Sequence, residues 1–499
     1  MATPIPNNTA RLSSAQIMEA TGGCIVHQYA GCVADGVGVA TDCRAVVPGN
    51  VFVALRGARH DGHHFAAEAV HAGAAMLVLE RGRTNAVLAH VSEAERARVL
   101  VIEVDDSLSA LGAMAGVHLA QWRRARATRR VVAITGSAGK TTTKEMTAAL
   151  LGAIQPTHST RGNLNNRVGV PMVIFGVQDT HEFLVLEMGM SLPGELEAIT
   201  SFARPDVSIV TNIGLAHAEG VGGIEGVQNE KGALYRCLGD GGVAVVNDDD
   251  PRVVDAAAVA SVQRRVGFGL SPRADYQLRS REPQTPAYLG ARVSLRTPHR
   301  SLDVDVPFAG AAAAVDVASA LAAQEVAAGG CVLQPSEIER ALQAIRLEGR
   351  TTMRCLGGGI VVIDDTYNAN PASMAAALQT LCEVGRGRRR VAVLGEMKEL
   401  GAESDGEHVA LGDRVADAEV TLAIGCGGRV SLALQRARER GVRVIDAAST
   451  DEAVAHAVTE VRASDAVLVK ASRSVGAERV VAALLEAWPF VSNRAGSES

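Results

Sequence analysis

Short apolar, β-branched runs alternate with stretches of helical spacing along most of the chain. Val51–Leu55, Ala75–Leu79 and Val99–Val104 read as buried strands, and a helix is expected from Leu108 to Trp122. A second series comprises Val131–Thr135, Phe183–Leu186, Val207–Thr211 and Val243–Asn247, with a helix Lys140–Leu151 between the first two. A third comprises Ile360–Ile363, Val391–Leu394, Thr421–Ile424, Val442–Ile445 and Val467–Lys470. Within it, a helix from Ser373 to Leu381 places Met374, Ala377, Leu378 and Leu381 on one face. Such alternation predicts mostly parallel sheets with ligands bound at the carboxyl ends of their strands. Ala274–Pro307 breaks the rhythm with Arg, Ser, Thr and Pro, and is expected to form a small antiparallel excursion.

A chain of 499 residues exceeds what one core organises and predicts about three domains. The expected α/β architecture has a small N-terminal unit (1–122), a central P-loop-type unit with a mostly parallel sheet (123–345) and a C-terminal Rossmann-like unit (346–499). "RRARATRR", Arg123–Arg130, reads as a solvated linker or, less simply, as a phosphate-binding patch. A net charge of −6 argues against a nucleic-acid footprint, and 3% aromatic residues argue against base-stacking platforms. Eight scattered cysteines with no C-x-x-C pair indicate neither a zinc site nor a disulfide framework. No secretory signal is visible at "MATPIPNNTARLSS", and "AGAAAAVDVASALAA" is interrupted by Asp316. A reduced, cytoplasmic protein without membrane insertion is expected, ending in the polar "SNRAGSES".

"VVAITGSAGKTTTKEM" carries the most chemistry. A strand ends at Thr135, Gly136 and Gly139 permit a tight turn through Ser137 and Ala138, and Lys140, Thr141 and Thr142 open a helix. Backbone N–H groups at such a terminus bind phosphate oxygens, with the helix dipole behind them. The Lys140 ammonium then reaches the outer phosphates and the Thr141 hydroxyl a magnesium ion. Ile134 stands where the longer G-x-x-x-x-G-K-[ST] pattern has its first glycine. The rival reading is a structural glycine turn.

Other candidates are ambiguous by themselves. Glu187 ends an apolar run and reads equally as a magnesium ligand or a solvated strand end. His217 in "TNIGLAHAEG" reads first as a structural histidine, and Lys231 in "QNEKGAL" as a surface lysine. Phosphates and hard oxygen donors favour magnesium over zinc.

Taken in order, the motifs resemble those of the Mur ligases of peptidoglycan synthesis, from about Thr41 to Val480. The motifs are "TDCR", "GNVFVALRGARHDGHHF", "TGSAGKTTTKEM", "TRGNLNNRVGVP", "LEMGM", "TNIGLAHAEG", "GRTTMR", "VIDDTYNANPASM", "VLGEMKELG" and "VLVKASR". "DDTYNANP" resembles the branch that joins D-alanyl-D-alanine to UDP-N-acetylmuramoyl-tripeptide. The resemblance implies ATP, two magnesium ions and an acyl-phosphate route, in a protein acting as a monomer. It implies metal ligation by Thr141 and Glu187 at one ion and His217 at the other. It also implies an N-carboxylated Lys231, and catalytic roles for Lys140, His217 and Lys231. Nucleotide contacts are implied for Gly136–Thr142, Arg350 and Asp365. Substrate contacts are implied for Thr41, Arg44, Asp61 and His63, for Asn163, Asn165 and Asn166, and for Asn368, Asn370, Lys470 and Arg473.

Two departures stand out. Ala312, Ala313 and Asp316 occupy positions where the family carries His, Asn and Asn, and Ala233 replaces a frequent Glu. Alanine cannot hydrogen-bond a base or ribose, and each lost bond costs about 0.5–1.5 kcal/mol. The alternatives are another amide-forming ligase of the superfamily, folylpolyglutamate synthase-like, or a nucleotide-gated binding protein with a decayed site.

Overall fold

The computed structural model describes residues 3–29, 32–57, 59–284, 286 and 289–489. The polar end at 492–499 lies outside them. Besides a short antiparallel pair, Arg11–Ser13 with Asp35–Val37, three larger sheets of five, nine and six strands follow one another along the described chain.

The first contains β1 (Cys24–His27), β2 (Val39–Ala40), β3 (Val51–Val53), β4 (Met76–Glu80) and β5 (Leu100–Val104) in the order β1-β5-β4-β3-β2. Only β1 runs antiparallel. Helix α1 (Ser107–Ala125) follows, started by Asp106, whose carboxylate accepts from Leu108 N and Ser109 N. Leu111, Met114, Ala115, Leu119 and Trp122 recur at helical spacing and are buried. They join a core that also holds Leu184 and Ile199 from the next unit.

The solvated linker expected at Arg123–Arg130 is not what forms. The helix runs on to Ala125, and three of the arginines become anchors. Arg123 donates to Arg204 O at 2.6 Å and reaches Asp206 at 3.0 Å. Arg126 pairs with Glu182. Arg129 is buried against the Trp122 ring and donates to Asp179 O at 2.6 Å. Carbonyl and carboxylate acceptors at the edge of the next unit hold the terminal nitrogens of these guanidiniums, a pairing invisible in local charge density.

The central sheet is built from β6 (Arg130–Thr135), β7 (Thr157–Ser159), β8 (Phe183–Glu187), β9 (Val207–Val210), β10 (Val243–Asn247), β11 (Arg265–Gly269), β12 (Tyr276–Pro283), β13 (Ala291–Arg296) and β14 (Ser301–Val306). Its order is β14-β13-β12-β11-β10-β9-β6-β8-β7. The antiparallel excursion is present as β12–β14, but it extends this sheet rather than standing apart. Helices α2 (Lys140–Gly152), α3 (Ile224–Arg236) and α4 (Ala311–Ala328) pack on it. Among the described residues, α4 alone is long and apolar enough to cross a membrane; most of it is buried against the sheet and α2.

The last sheet orders β15 (Thr352–Cys355), β16 (Val361–Asp365), β17 (Arg390–Leu394), β18 (Leu422–Cys426), β19 (Arg443–Ala447) and β20 (Ala466–Lys470) as β15-β16-β20-β17-β18-β19. Only β15 is antiparallel. Helix α5 (Pro371–Val384) buries Met374, Ala377, Leu378 and Leu381, the face expected from their spacing. This unit meets the central one directly. Arg281 of β12 and Glu383 of α5 form two parallel bonds of 2.6 Å. A Cβ on Gly310 would lie 2.4 Å from Thr380 Oγ1, so glycine allows α4 to begin against α5.

Candidate functional site

The loop between β6 and α2 is rigidly braced. A Cβ on Gly136 would stand 1.8 Å from Thr211 Oγ1, so this position must be glycine. Gly139 has φ of +78° and caps α2. Asn212 Oδ1 accepts from Ala138 N at 2.8 Å, while Asn212 Nδ2 and Thr211 Oγ1 donate to Ala138 O at 3.0 and 2.5 Å. Lys140 Nζ folds back to Gly136 O at 2.7 Å. The amides of Lys140, Thr141 and Thr142 precede the first intrahelical bond, Thr143 N to Gly139 O, and are oriented as anion donors. Burial pulls the Lys140 ammonium below the ordinary lysine range; Glu187 opposes this, and Arg350 adds to it.

Below the loop, Thr141 Oγ1 donates to Glu187 Oε2 at 2.6 Å and Asn165 Nδ2 donates to Oε1 at 2.8 Å. Glu187 is buried, and no cation lies within ion-pair distance of it among the described residues. It is therefore not a solvated strand end. A buried carboxylate beside a hydroxyl and a phosphate loop suits a hard divalent cation. Among the described residues no three His, Cys, Asp or Glu side chains cluster, so any such shell draws on other oxygens as well, the Thr141 hydroxyl and phosphate among them.

Lys231 corrects the surface-lysine reading. It is 1% exposed on α3, at helical spacing from the buried Val227, Leu234 and Tyr235. Burial first, then Lys140, holds its ammonium well below the ordinary lysine value, with Glu230 opposing. Ala233 is buried in the same core. His217, at φ +58°, turns Nδ1 toward the Glu399 carboxylate of the last unit. That contact holds Glu399 below the usual carboxylate range.

The last unit supplies the facing wall. Asp365 accepts from Thr351 N at 3.0 Å and from Lys470 Nζ at 2.6 Å. Lys470 also donates to Asn368 O at 2.9 Å, so its ammonium holds the Asp365 loop together. Asn370 caps α5 through Ser373 N and donates from Nδ2 to Ser137 O at 3.0 Å, joining the two units at the phosphate loop.

These groups surround one cavity of about 660 Å³. Of the residues singled out in the sequence, Ser137–Lys140, Thr142, Asn163, Asn165, Asn166, Glu187, His217, Lys231, Arg350, Asp365, Asn368, Asn370 and Lys470 line it. Gly136 and Thr141 lie in the loop but not on the cavity surface, and Arg473 lies outside. Thr41, Arg44, Asp61 and His63 belong to the first unit, away from this cavity. Arg44 is exposed and paired with Asp42. His63 is buried, with Nδ1 on Asp61 at 2.5 Å and Nε2 accepting from Glu80 N at 2.9 Å, so it shapes its own loop. Asn212, Tyr367 and Asp316 were not singled out as site residues, although each sits inside or beside a quoted motif. Asp316 lines the cavity, accepts from Thr143 Oγ1 at 3.2 Å, and is pushed by burial up to about 8.

Comparison with known proteins shows the family. Family models match described as Mur ligase family, catalytic domain (residues 37–118), Mur ligase middle domain (134–324) and Mur ligase, glutamate ligase domain (349–473). The chain belongs to the Mur ligase family. It is 34% identical to the UDP-N-acetylmuramoyl-tripeptide–D-alanyl-D-alanine ligase of Escherichia coli, over 90% of this chain and 93% of that one. A crystal structure of MurF from Acinetobacter baumannii superposes with a TM-score of 0.81 at 31% identity, covering 97% of this chain and 100% of that one. MurF from Thermotoga maritima in complex with ADP gives 0.76 at 26% identity, covering 90% and 97%.

Proposed function

We propose that the chain joins D-alanyl-D-alanine to the C-terminal carboxylate of UDP-N-acetylmuramoyl-tripeptide, converting ATP to ADP and phosphate and yielding the pentapeptide used in peptidoglycan synthesis. One observation carries the reading. A braced phosphate loop, a buried Thr141–Glu187 pair and a facing wall from the last unit converge on one cavity.

A carboxylate resists attack by an amine until it is phosphorylated, which gives it a leaving group. Lys140 and the amides of the loop hold the phosphates and offset their charge. Thr141 and Glu187 are the residues to hold one magnesium ion, with His217 and Lys231 at a second. Such ions supply charge neutralisation at the transferred phosphoryl group. Lys231 suits carboxylation, being a buried amine with no hydrogen-bond partner among the described residues. The asparagines at 163, 165 and 166 face the same space and suit the peptide, whose uridine end extends toward Thr41, Arg44 and Asp61. Asp365 suits the ribose, held by Lys470. Asn368 suits the incoming dipeptide, and Asn370 fastens the last unit over the loop. Closure of that unit excludes water from the activated acid.

The functional division is read at 1–122, 123–345 and 346–499, the first boundary falling near the end of α1, whose last turn anchors to the central unit. The chain is read as a monomer, and as cytoplasmic because a uridine nucleotide and ATP are cytoplasmic solutes. ADP release from ATP, magnesium and UDP-N-acetylmuramoyl-tripeptide should depend on D-alanyl-D-alanine and vanish in Lys140→Ala. Equal release without the dipeptide would remove the assignment.

A further inference from the structure

Arg350 is a cation without an anion. Among the described residues it makes no ion pair and no side-chain hydrogen bond, yet it lines the central cavity and its charge is felt at Lys140. Arginine donors that enter a binding cavity are commonly held by a carboxylate fork. Here an aromatic ring takes that place. The Arg350 guanidinium carbon lies 3.8 Å from the centroid of the Tyr367 ring, and that of Arg473 approaches the same ring at 5.7 Å.

The backbone enforces the first contact. Tyr367 N donates to Gly349 O at 2.9 Å, and Thr351 N donates to Asp365 Oδ1, so both neighbours of Arg350 are tied to the end of β16. Gly349 has φ of +64°, and a Cβ there would lie 3.2 Å from Thr366 Oγ1 and 3.3 Å from Tyr367 N. The chain thus turns tightly against Tyr367 just before Arg350. The Tyr367 hydroxyl makes no hydrogen bond among the described residues, leaving the ring face as its interacting part.

We propose that Tyr367 is the positioning residue for Arg350, presenting its guanidinium to the phosphates of the bound nucleotide opposite Lys140. The inference rests on the reading of the cavity as an ATP site. A carboxylate in the same place would hold the arginine but cancel its charge and occupy its donors. A ring stacks on the guanidinium plane and leaves the edge N–H groups free for a phosphate fork.

The test measures binding of a non-hydrolysable ATP analogue by calorimetry, together with KM for ATP and kcat, in the full-length chain. Tyr367→Leu should weaken analogue binding and raise KM for ATP about tenfold, with a smaller change in kcat. Tyr367→Phe should restore binding to within about twofold. Tyr367→Met, also without a π face, should match the leucine variant and serves in its place if leucine impairs folding. Combined with Arg350→Ala, Tyr367→Leu should cost far less than it does alone, because the ring acts chiefly through that arginine, Arg473 standing farther from it. Unchanged binding in Tyr367→Leu, or a loss additive with Arg350→Ala, overturns the positioning role and leaves the ATP site standing. Failure of the unsubstituted protein to bind the analogue overturns both.

Discussion

Thr141 Oγ1 donates to Glu187 Oε2 across 2.6 Å, binding the first turn of the phosphate-loop helix to the end of the adjacent strand. Asn165 completes the carboxylate's contacts. Glu187→Ala removes the proposed metal donor and leaves Thr141 and Asn165 without their partner in a buried site. Activity is expected to fall at least 100-fold, the magnitude seen when electrostatic stabilisation is removed. Stability should fall by about 1–3 kcal/mol. A magnesium titration of turnover checks the assignment. Thr141→Ala should raise the magnesium needed for half-maximal rate, and an unchanged requirement speaks against ligation here.

Lys231 is buried where an ammonium is disfavoured. A neutral amine can add carbon dioxide to give an anionic oxygen donor. Protein equilibrated with carbon-13 bicarbonate should show a carbamate resonance that Lys231→Ala lacks. Full activity from an unmodified lysine would contradict it.

Arg281 and Glu383 connect the central and last units through two bonds of 2.6 Å, with both side chains largely buried. Arg281→Ala strands a carboxylate in that interface and should cost about 3 kcal/mol. Restoring neutrality with Glu383→Gln in the same chain should recover part of the loss. Urea unfolding of the single and double variants gives both values. Equal stability of all three would show that the pair does not couple the units.

Asp316 is held up at about 8, well above the value of about 3.9 for an unfolded aspartate. The folded chain therefore keeps a proton that the unfolded chain has released. Stability attributable to this group is greatest below about pH 4 and declines as pH rises toward 8, by at most about 1.4 kcal/mol per unit. Asp316→Asn removes the titration. Urea midpoints of the variant relative to the parent should rise across this window and then level off. Parallel profiles would mean that the carboxyl is ionised in the fold.

The strand–helix rhythm made most of the parallel sheets legible, because β-branched runs such as Val131–Thr135 and Val467–Lys470 are buried on both faces. What escaped were contacts between distant segments. The arginines at 123, 126 and 129 read as a charged linker because their acceptors, near Asp179, Glu182 and Asp206, are remote in sequence. Lys231 reads as a surface residue when its charge alone is weighed, since lysine on an amphipathic helix usually faces solvent. Its spacing from Val227, Leu234 and Tyr235 was the available signal. The phosphate loop was recognisable because glycine, lysine and threonine act there at fixed local spacing. Asn212 and Tyr367 lay within quoted motifs, but their partners at Ala138 and Arg350 emerge only on folding.

The central claim is that this cavity activates an acid by transferring phosphate to it. Oxygen-18 placed in the terminal carboxylate of UDP-N-acetylmuramoyl-tripeptide tests it most directly. With ATP, magnesium and D-alanyl-D-alanine, each pentapeptide formed should deliver one labelled oxygen into the released inorganic phosphate. Pentapeptide formed alongside wholly unlabelled phosphate would contradict the account.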